Sequence, residues 1–429
     1  METDFYPSAK KRIIFPWIGY VLIFIVWLIL FIVNLVVSDA DGPDAIIQLQ
    51  GYDPDSTKNF FRIMFMFIPF TYQLYYLQPH SELDPLMGIK ILIVANILVY
   101  SRSILAMIYA KPLPYLEYES VEGWQCLLDW SMPSERTMVT FSVSLYYILL
   151  LKSLKRNEYP TWVYLALAGF FAAWNCLVSI TEIIIGIQTV IGMFLSIFWG
   201  LVILIPFIIF DSKFTELIIN VLDKPKQGLA IFHIVFAASA FFGLILFETR
   251  NAELSDTWED IIDTICHDTM SLTSRNISAY DLHQSTILAI PTGALLGFVI
   301  CYRTFQCKWW GTLTIYHKII RVICSWVYFN VGNIFIVIFQ STSSTNSSLK
   351  KVTDTFGLTE VIKNPYFLFF FDLFVFYQMG WMLTYLYPIV ISGLNLSKPV
   401  EVNIPNLDSE ISFEVSDPTK RERADIDNN

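Results

Sequence analysis

The feature that most constrains this chain is a succession of apolar stretches, each about 20 residues long and almost without charge. With a rise of about 1.5 Å per residue, such a stretch crosses a hydrocarbon core of roughly 30 Å as an α-helix. About ten candidates run along the sequence, over 13–37, 60–78, 86–110, 137–151, 161–183, 187–210, 229–247, 286–302, 317–340 and 366–393. The stretch from Thr137 to Leu151 is the shortest, and the polar turn ahead of it extends it. The expected fold class is all-α, a polytopic helical membrane protein. A chain with 55% hydrophobic, 16% aromatic and only 15% charged residues is not a soluble globular protein, because water does not solvate that much apolar surface.

Lys10, Lys11 and Arg12 precede the first stretch, which is too long for a signal peptide and has no small-residue cleavage site before Ser38. It reads as a retained anchor. Positive-inside bias then puts the amino terminus in the cytosol together with Lys152, Lys155 and Arg156, then Lys213, Lys224 and Lys226, then Arg303 and Lys308. This pattern favours an even number of spans and two cytosolic termini. The expected organisation is a cytosolic segment 1–12, an extra span with a lumenal loop over 13–59 and a core over 60–210. A second bundle follows over 211–393 with lumenal loops 248–285 and 341–365, then an acidic, aromatic-poor tail 394–429 that reads as disordered.

Two lumenal loops carry glycosylation sequons, at Asn276 and Asn346, while a third match at Asn395 falls on the cytosolic side. Cys126 and Cys266 lie in two different lumenal loops, which leaves open a disulfide between them or two free thiols. No C-x-x-C or H-E-x-x-H spacing suggests a metal, and no cofactor is expected. The net charge of −10 sits largely in the loop 248–285 and the tail. No basic patch with interleaved aromatics supports nucleic-acid binding.

Chemistry-bearing residues collect at the lumenal ends of four spans. Lys111 and the run Pro133-Ser134-Glu135-Arg136 flank spans three and four, and Thr181, Glu182 and Gln188 flank the turn between spans five and six. A helix starting after Pro133 offers free backbone N–H groups that favour an anion. Ser134 reads either as the N-cap of that helix or as a phosphate contact. Glu182 reads either as a carboxylate facing a cavity or as a residue in the headgroup layer. Arg102 is either a cation for a lipid phosphate or a residue snorkelling to the interface. Asp372, deep in the last span, either pairs with a polar group such as Asn330 or Asn333 or sits near a water-filled cleft. A loop pair, His267 with Asp268, reads mainly as a solvated feature. Gly293 and Gly297 form a G-x-x-x-G pattern that suits close helix packing.

Taken in order, these segments resemble the type-2 phosphatidic acid phosphatase superfamily, and within it the sphingosine-1-phosphate (long-chain base phosphate) phosphatases. The family pattern is K-x6-R-P, then P-S-x-H, then S-R-x5-H-x3-D. Lys111-Pro112 resembles the R-P pair, with Ile104 where the family has its lysine. Pro133-Ser134-Glu135-Arg136 resembles the second motif with arginine for histidine. Thr181, Glu182, Gln188 and Gly192 keep the spacing of the third motif while changing all four of its marked residues. The resemblance covers at least 60–210 and implies a phosphatase-like core.

In the family the third-motif histidine takes the phosphoryl group and the second-motif histidine protonates the leaving oxygen. Gln188 is a neutral amide without nucleophilic strength, and Arg136 does not give up a proton near neutral pH. The resemblance therefore implies a catalytically impaired protein of the endoplasmic reticulum membrane, with Lys111, Ser134 and Arg136 as candidate phosphate-binding residues. The implied ligand is a phosphorylated sphingoid base or another anionic lipid. An active phosphatase with a rearranged site and a transporter-like protein using Glu182 and Asp372 are the alternatives.

Overall fold

In a bilayer every backbone polar group must be satisfied within the protein, so long apolar runs become helices. The computed structural model describes residues 44–50, 58–65, 68, 85–118, 120–124, 129–154, 160–249, 258, 281–305, 320, 323, 327 and 365–386. Among these residues there is no strand. The helices are α1 (Asp44–Gln50), α2 (Pro85–Tyr109), α3 (Pro114–Glu117), α4 (Glu135–Leu154), α5 (Thr161–Ile184), α6 (Val190–Ile209), α7 (Asp211–Asp223), α8 (Pro225–Thr249), α9 (Ala289–Phe305) and α10 (Pro365–Trp381). Residues 58–65 are also helical. A helical turn at 281–284 and a 3-10 turn, Ser285–Leu288, lead into α9, and a π-helical turn, Met382–Leu386, ends α10.

Six helical stretches are long and apolar enough to cross a membrane: Leu86–Glu117, Thr161–Ile184, Val190–Ile209, Pro225–Thr249, Asp281–Cys301 and Tyr366–Tyr385. Each overlaps an apolar run expected from the sequence. The expected span 13–37, and most of 60–78 and 317–340, lie outside the described residues. The loop expected over 248–285 is shortened at both ends, since α8 continues to Thr249 and helix resumes at Asp281. Helix α7 was not foreseen; its alternation of charged and apolar residues places Ile218 and Val221 against the bundle while Lys213 and Glu216 face outwards.

Helix α4 is the axis around which this end of the molecule is built. It packs against α2, α5 and α6, and Met138, Val139, Val143 and Tyr146 on it are buried. So are Thr137, Thr140, Ser142 and Ser144. A helix that meets protein on several sides has no need of the hydropathy a lipid-facing one requires, which is why this run tolerates four buried hydroxyl side chains. By contrast α5 and α8 present Trp162, Leu165, Phe170, Ile234 and Phe241 outwards.

The strongest helix pairing is α9 with α10. A Cβ on Gly293 would fall 2.0 Å from the carbonyl oxygen of Tyr377, and one on Gly380 would fall 1.9 Å from that of Ile290. Only hydrogen at these positions lets the two backbones touch. Thr384 Oγ1 donates across this contact to the carbonyl of Ala294 at 2.7 Å. The G-x-x-x-G pattern of α9 is thus a packing seam.

The C-terminal half of α2, the start of α4, the turn between α5 and α6 and Asp281 meet at one end of the bundle, as the contacts of Arg102 and Glu182 show. At the opposite end Lys90 pairs with Asp211 and donates to Thr215 Oγ1 at 2.9 Å, while Tyr146 donates to Asp211 at 3.1 Å.

Candidate functional site

The turn between α5 and α6 is tight. Ile187 N donates to Glu182 O, Gly186 N to Ile183 O and Ile185 N to Thr181 O. Gly186 has a φ of 85°, a conformation open to glycine at little cost, and a Cβ there would approach Glu122 O to 3.0 Å. This turn sets Gln188 beneath the first turn of α4. Thr189 then caps α6, its hydroxyl accepting from Gly192 N at 3.0 Å.

At the start of α4, Ser134 Oγ accepts from Thr137 N at 3.5 Å, a long N-cap bond, and donates to Glu182 Oε1 at 2.5 Å. Thr137 Oγ1 donates to Glu182 Oε2 at 2.6 Å and lies 3.3 Å from Gln188 Oε1 and 3.2 Å from Ser179 Oγ. Gln188 Nε2 donates to Ser196 Oγ at 3.0 Å. That hydroxyl also accepts from Ser134 N at 2.7 Å and donates to Gly192 O at 2.6 Å. The Arg136 guanidinium stands 3.8 Å from Glu182 Oε1 and rests on the Phe65 ring at 4.0 Å. Ser134, Thr137, Ser179, Glu182, Gln188 and Ser196 are all buried.

The carboxylate of Glu182 is therefore held in a cage of hydroxyl donors at the positive end of α4, where a helix dipole favours an anion. Each hydrogen bond to a charged group contributes about 1.5–3 kcal/mol, which offsets part of the cost of burying the charge. A second anion about 4 Å from it would meet a repulsion of about 4 kcal/mol at an effective dielectric of about 20.

The expected residues divide. Ser134, Arg136, Glu182 and Gln188 come together. Glu182 is enclosed by protein, 1% exposed, near the end of α5. Thr181 turns away, its hydroxyl donating to Leu177 O at 2.7 Å. Gly192 contributes backbone only, and a Cβ there would lie 3.2 Å from Gln188 Cγ. The Lys111 side chain is exposed and apart from the cage; its carbonyl accepts from Ser131 N at 2.9 Å. It follows Ala110, whose φ of 46° turns the chain sharply away from α2. Sequence reasoning missed Thr137, Ser179 and Ser196. The signal for Thr137 was its place three residues after an N-cap serine.

Arg102 corrects both earlier readings, since it neither faces a lipid phosphate nor snorkels. It is 1% exposed and pairs with Asp281 through Nη1 and with Asp129 through Nη2 at 3.4 Å. Its Nε donates to Pro133 O at 2.9 Å and Nη2 to Trp130 O at 2.7 Å. The guanidinium thereby fixes the segment that delivers Ser134 to α4. Asp129 Oδ1 and Asp281 Oδ2 are buried without a hydrogen-bond partner among the described residues.

Asp372 meets His283, Nδ1 to Oδ2 at 3.3 Å, and both are buried. His283, expected in a lumenal loop, sits in the helical turn before α9. Asn330 and Asn333 lie outside the described residues, as do Cys126, Cys266, Asn276, Asn346, Asn395, His267 and Asp268. His233 contacts Tyr377, Nε2 to the hydroxyl at 3.1 Å. Among the described residues no group of three His, Cys, Asp or Glu is arranged to hold a metal ion.

Two helical segments, 44–50 and 58–65, form a strap across this end. Gln50 Nε2 donates to Glu122 O at 2.8 Å and Ile184 O at 2.9 Å. Lys58 pairs with Glu122, and Arg62 Nε donates to Trp124 O at 2.6 Å. The hydrogen bond from Lys58 holds the Glu122 carboxyl below the usual carboxylate range, assisted by one from Trp124 Nε1.

Comparison with protein-family models, with curated proteins and with solved structures finds no match.

Proposed function

We propose that this chain is a catalytically impaired membrane protein similar to the sphingosine-1-phosphate phosphatases, which binds or regulates lipid phosphates without cleaving them. The observation that supports the reading is the convergence of Ser134, Arg136, Glu182 and Gln188, which stand at the motif positions of the type-2 phosphatidic acid phosphatases. Among the described residues no histidine joins them. A site with an amide where the nucleophile belongs and a guanidinium where the acid belongs lacks the groups that break a phosphoester. In this reading residues 60–210 form the phosphatase-like core. The spans number about ten, counting α4 and the segments 13–37, 60–78 and 317–340 beside the six apolar helices. An anionic lipid headgroup would meet Lys111 and the outer edge of Arg136.

The test is phosphate release from sphingosine-1-phosphate and dihydrosphingosine-1-phosphate by the purified protein, beside a Ser134→Ala/Arg136→Ala variant. No release above the variant is expected; turnover well above it would sink the reading. The endoplasmic reticulum membrane and the cytosolic termini belong to the same proposal. Glycosylation at Asn276 and Asn346 with none at Asn395 is the expected result of mapping.

A second reading, a transporter-like protein, draws support from the ionisable side chains buried within or at the ends of the spans: Arg102, Asp281, His283 and Asp372. Such groups mark ion or proton paths in membranes. Proton flux in proteoliposomes that is lost in Asp372→Asn would favour it over the first.

A further inference from the structure

We infer that Glu182 is a built-in occupant of an oxyanion site, and that the cradle on α4 accepts a phosphomonoester once this carboxylate is removed. The inference rests on the reading above and names what keeps its site closed. Three observations carry it. First, the donors are arranged for an anion: Ser134 Oγ at 2.5 Å and Thr137 Oγ1 at 2.6 Å address the two carboxylate oxygens separately, and the Arg136 guanidinium stands 3.8 Å away. Second, they come from the first turn of a 20-residue helix, α4, while the anion comes from a different helix, α5. Third, the cradle is fixed independently of its occupant. Ser196 holds Ser134 N at 2.7 Å, and Arg102 holds the carbonyls of Trp130 and Pro133 at 2.7 Å and 2.9 Å.

The last point decides what removal of Glu182 does. If the cradle were shaped only by Glu182, losing it would collapse the first turn of α4; with Ser196 and Arg102 still in place the donors keep their positions. A carboxylate presents two oxygens and one negative charge, whereas a phosphomonoester presents three oxygens and a charge of about −1.5 to −2. Vacating the carboxylate removes the repulsion and opens volume beside two hydroxyl donors and a guanidinium suited to phosphate.

The experiment compares wild type with Glu182→Ser, which clears charge and volume, and with Glu182→Gln, which clears charge alone. The full chain is purified in detergent, with gel filtration and tryptophan emission checking the fold. Binding is titrated with inorganic phosphate and, in mixed micelles, with dihydrosphingosine-1-phosphate. Glu182→Ser should bind at least one of them about tenfold tighter than wild type, and adding Arg136→Ala should abolish the gain. Gain with the lipid shows a cradle reached from the membrane, and gain with inorganic phosphate alone shows one reached from water. A folded Glu182→Ser variant without gain overturns the inference. Should that variant aggregate, Glu182→Ala, which clears the same charge and volume, carries the same prediction and its failure overturns it equally, while Glu182→Gln, which still fills the cradle, should gain little. Phosphate release by the wild type would sink the parent reading while leaving this comparison of affinities to be scored on its own.

Discussion

Two buried charges organise the same end of the bundle by opposite means. Arg102 is surrounded by more anion than it needs, two carboxylates and two backbone carbonyls, one carboxylate being Asp281, far along the chain. Glu182 is surrounded mostly by neutral hydroxyls from the first turn of α4, with the Arg136 guanidinium standing off at 3.8 Å. The first arrangement joins α2, the segment before α4 and the turn before α9. The second neutralises a charge locally and leaves a shape behind. A buried ion can thus serve as a clasp or as a filling, and the identity of its partners tells which.

The largest expected effect comes from breaking the clasp. Arg102→Met strands Asp129 and Asp281 as buried acids and should lower stability by about 3–5 kcal/mol, read as loss of folded protein in detergent-based thermal melts. Survival of that variant with an unchanged melt would mean the clasp is not structural. The comparison sharpens within the pair itself. Asp281→Asn should be more damaging than Asp129→Asn, because Asp281 is fully buried and directly hydrogen-bonded while Asp129 stands at 3.4 Å. A smaller loss, about 1–2 kcal/mol, is expected for Ser134→Ala, which removes an N-cap and one donor to Glu182 together. Equal losses at Arg102 and Ser134 would erase the distinction between clasp and filling.

The smallest effect lies outside both, on the strap. The Glu122 carboxyl is held below its ordinary range by Lys58, so its contribution is present above the unfolded carboxylate pKa and is lost as pH falls through the lower folded value. Proteolysis of the strap should therefore quicken at acid pH in wild type, and Glu122→Gln should remove that dependence. Since Glu122 is largely exposed, the melting temperature itself should barely move.

The apolar runs made the six membrane-length helices legible, because lipid exposure demands hydropathy and periodic length. Helix α4 was the hardest of the core helices to read for the complementary reason: buried among its neighbours, it carries Thr137, Thr140, Ser142 and Ser144 without penalty. The convergence of Ser134, Arg136, Glu182 and Gln188 was legible because helix ends on one side of a membrane are brought close by topology alone. What was hidden were pairings set by tertiary packing. Nothing local links Arg102 to Asp281, 179 residues away, or turns His283 onto Asp372. Lys111 misled for a local reason, since the turn at Ala110 carries it away from the cage that its neighbours form.

The separation between Arg102 and Asp281 has a consequence for synthesis. At roughly 5–20 residues per second, the ribosome needs about 10–40 s to make the stretch between them. Throughout that interval a guanidinium already delivered to the bilayer waits for its second carboxylate. Asp129 and the carbonyls of Trp130 and Pro133 emerge within the next few seconds and can receive it first. The amino-terminal helices thus gain a provisional counter-charge at once, and the arrival of Asp281 marks the moment when the two halves of the chain become one molecule.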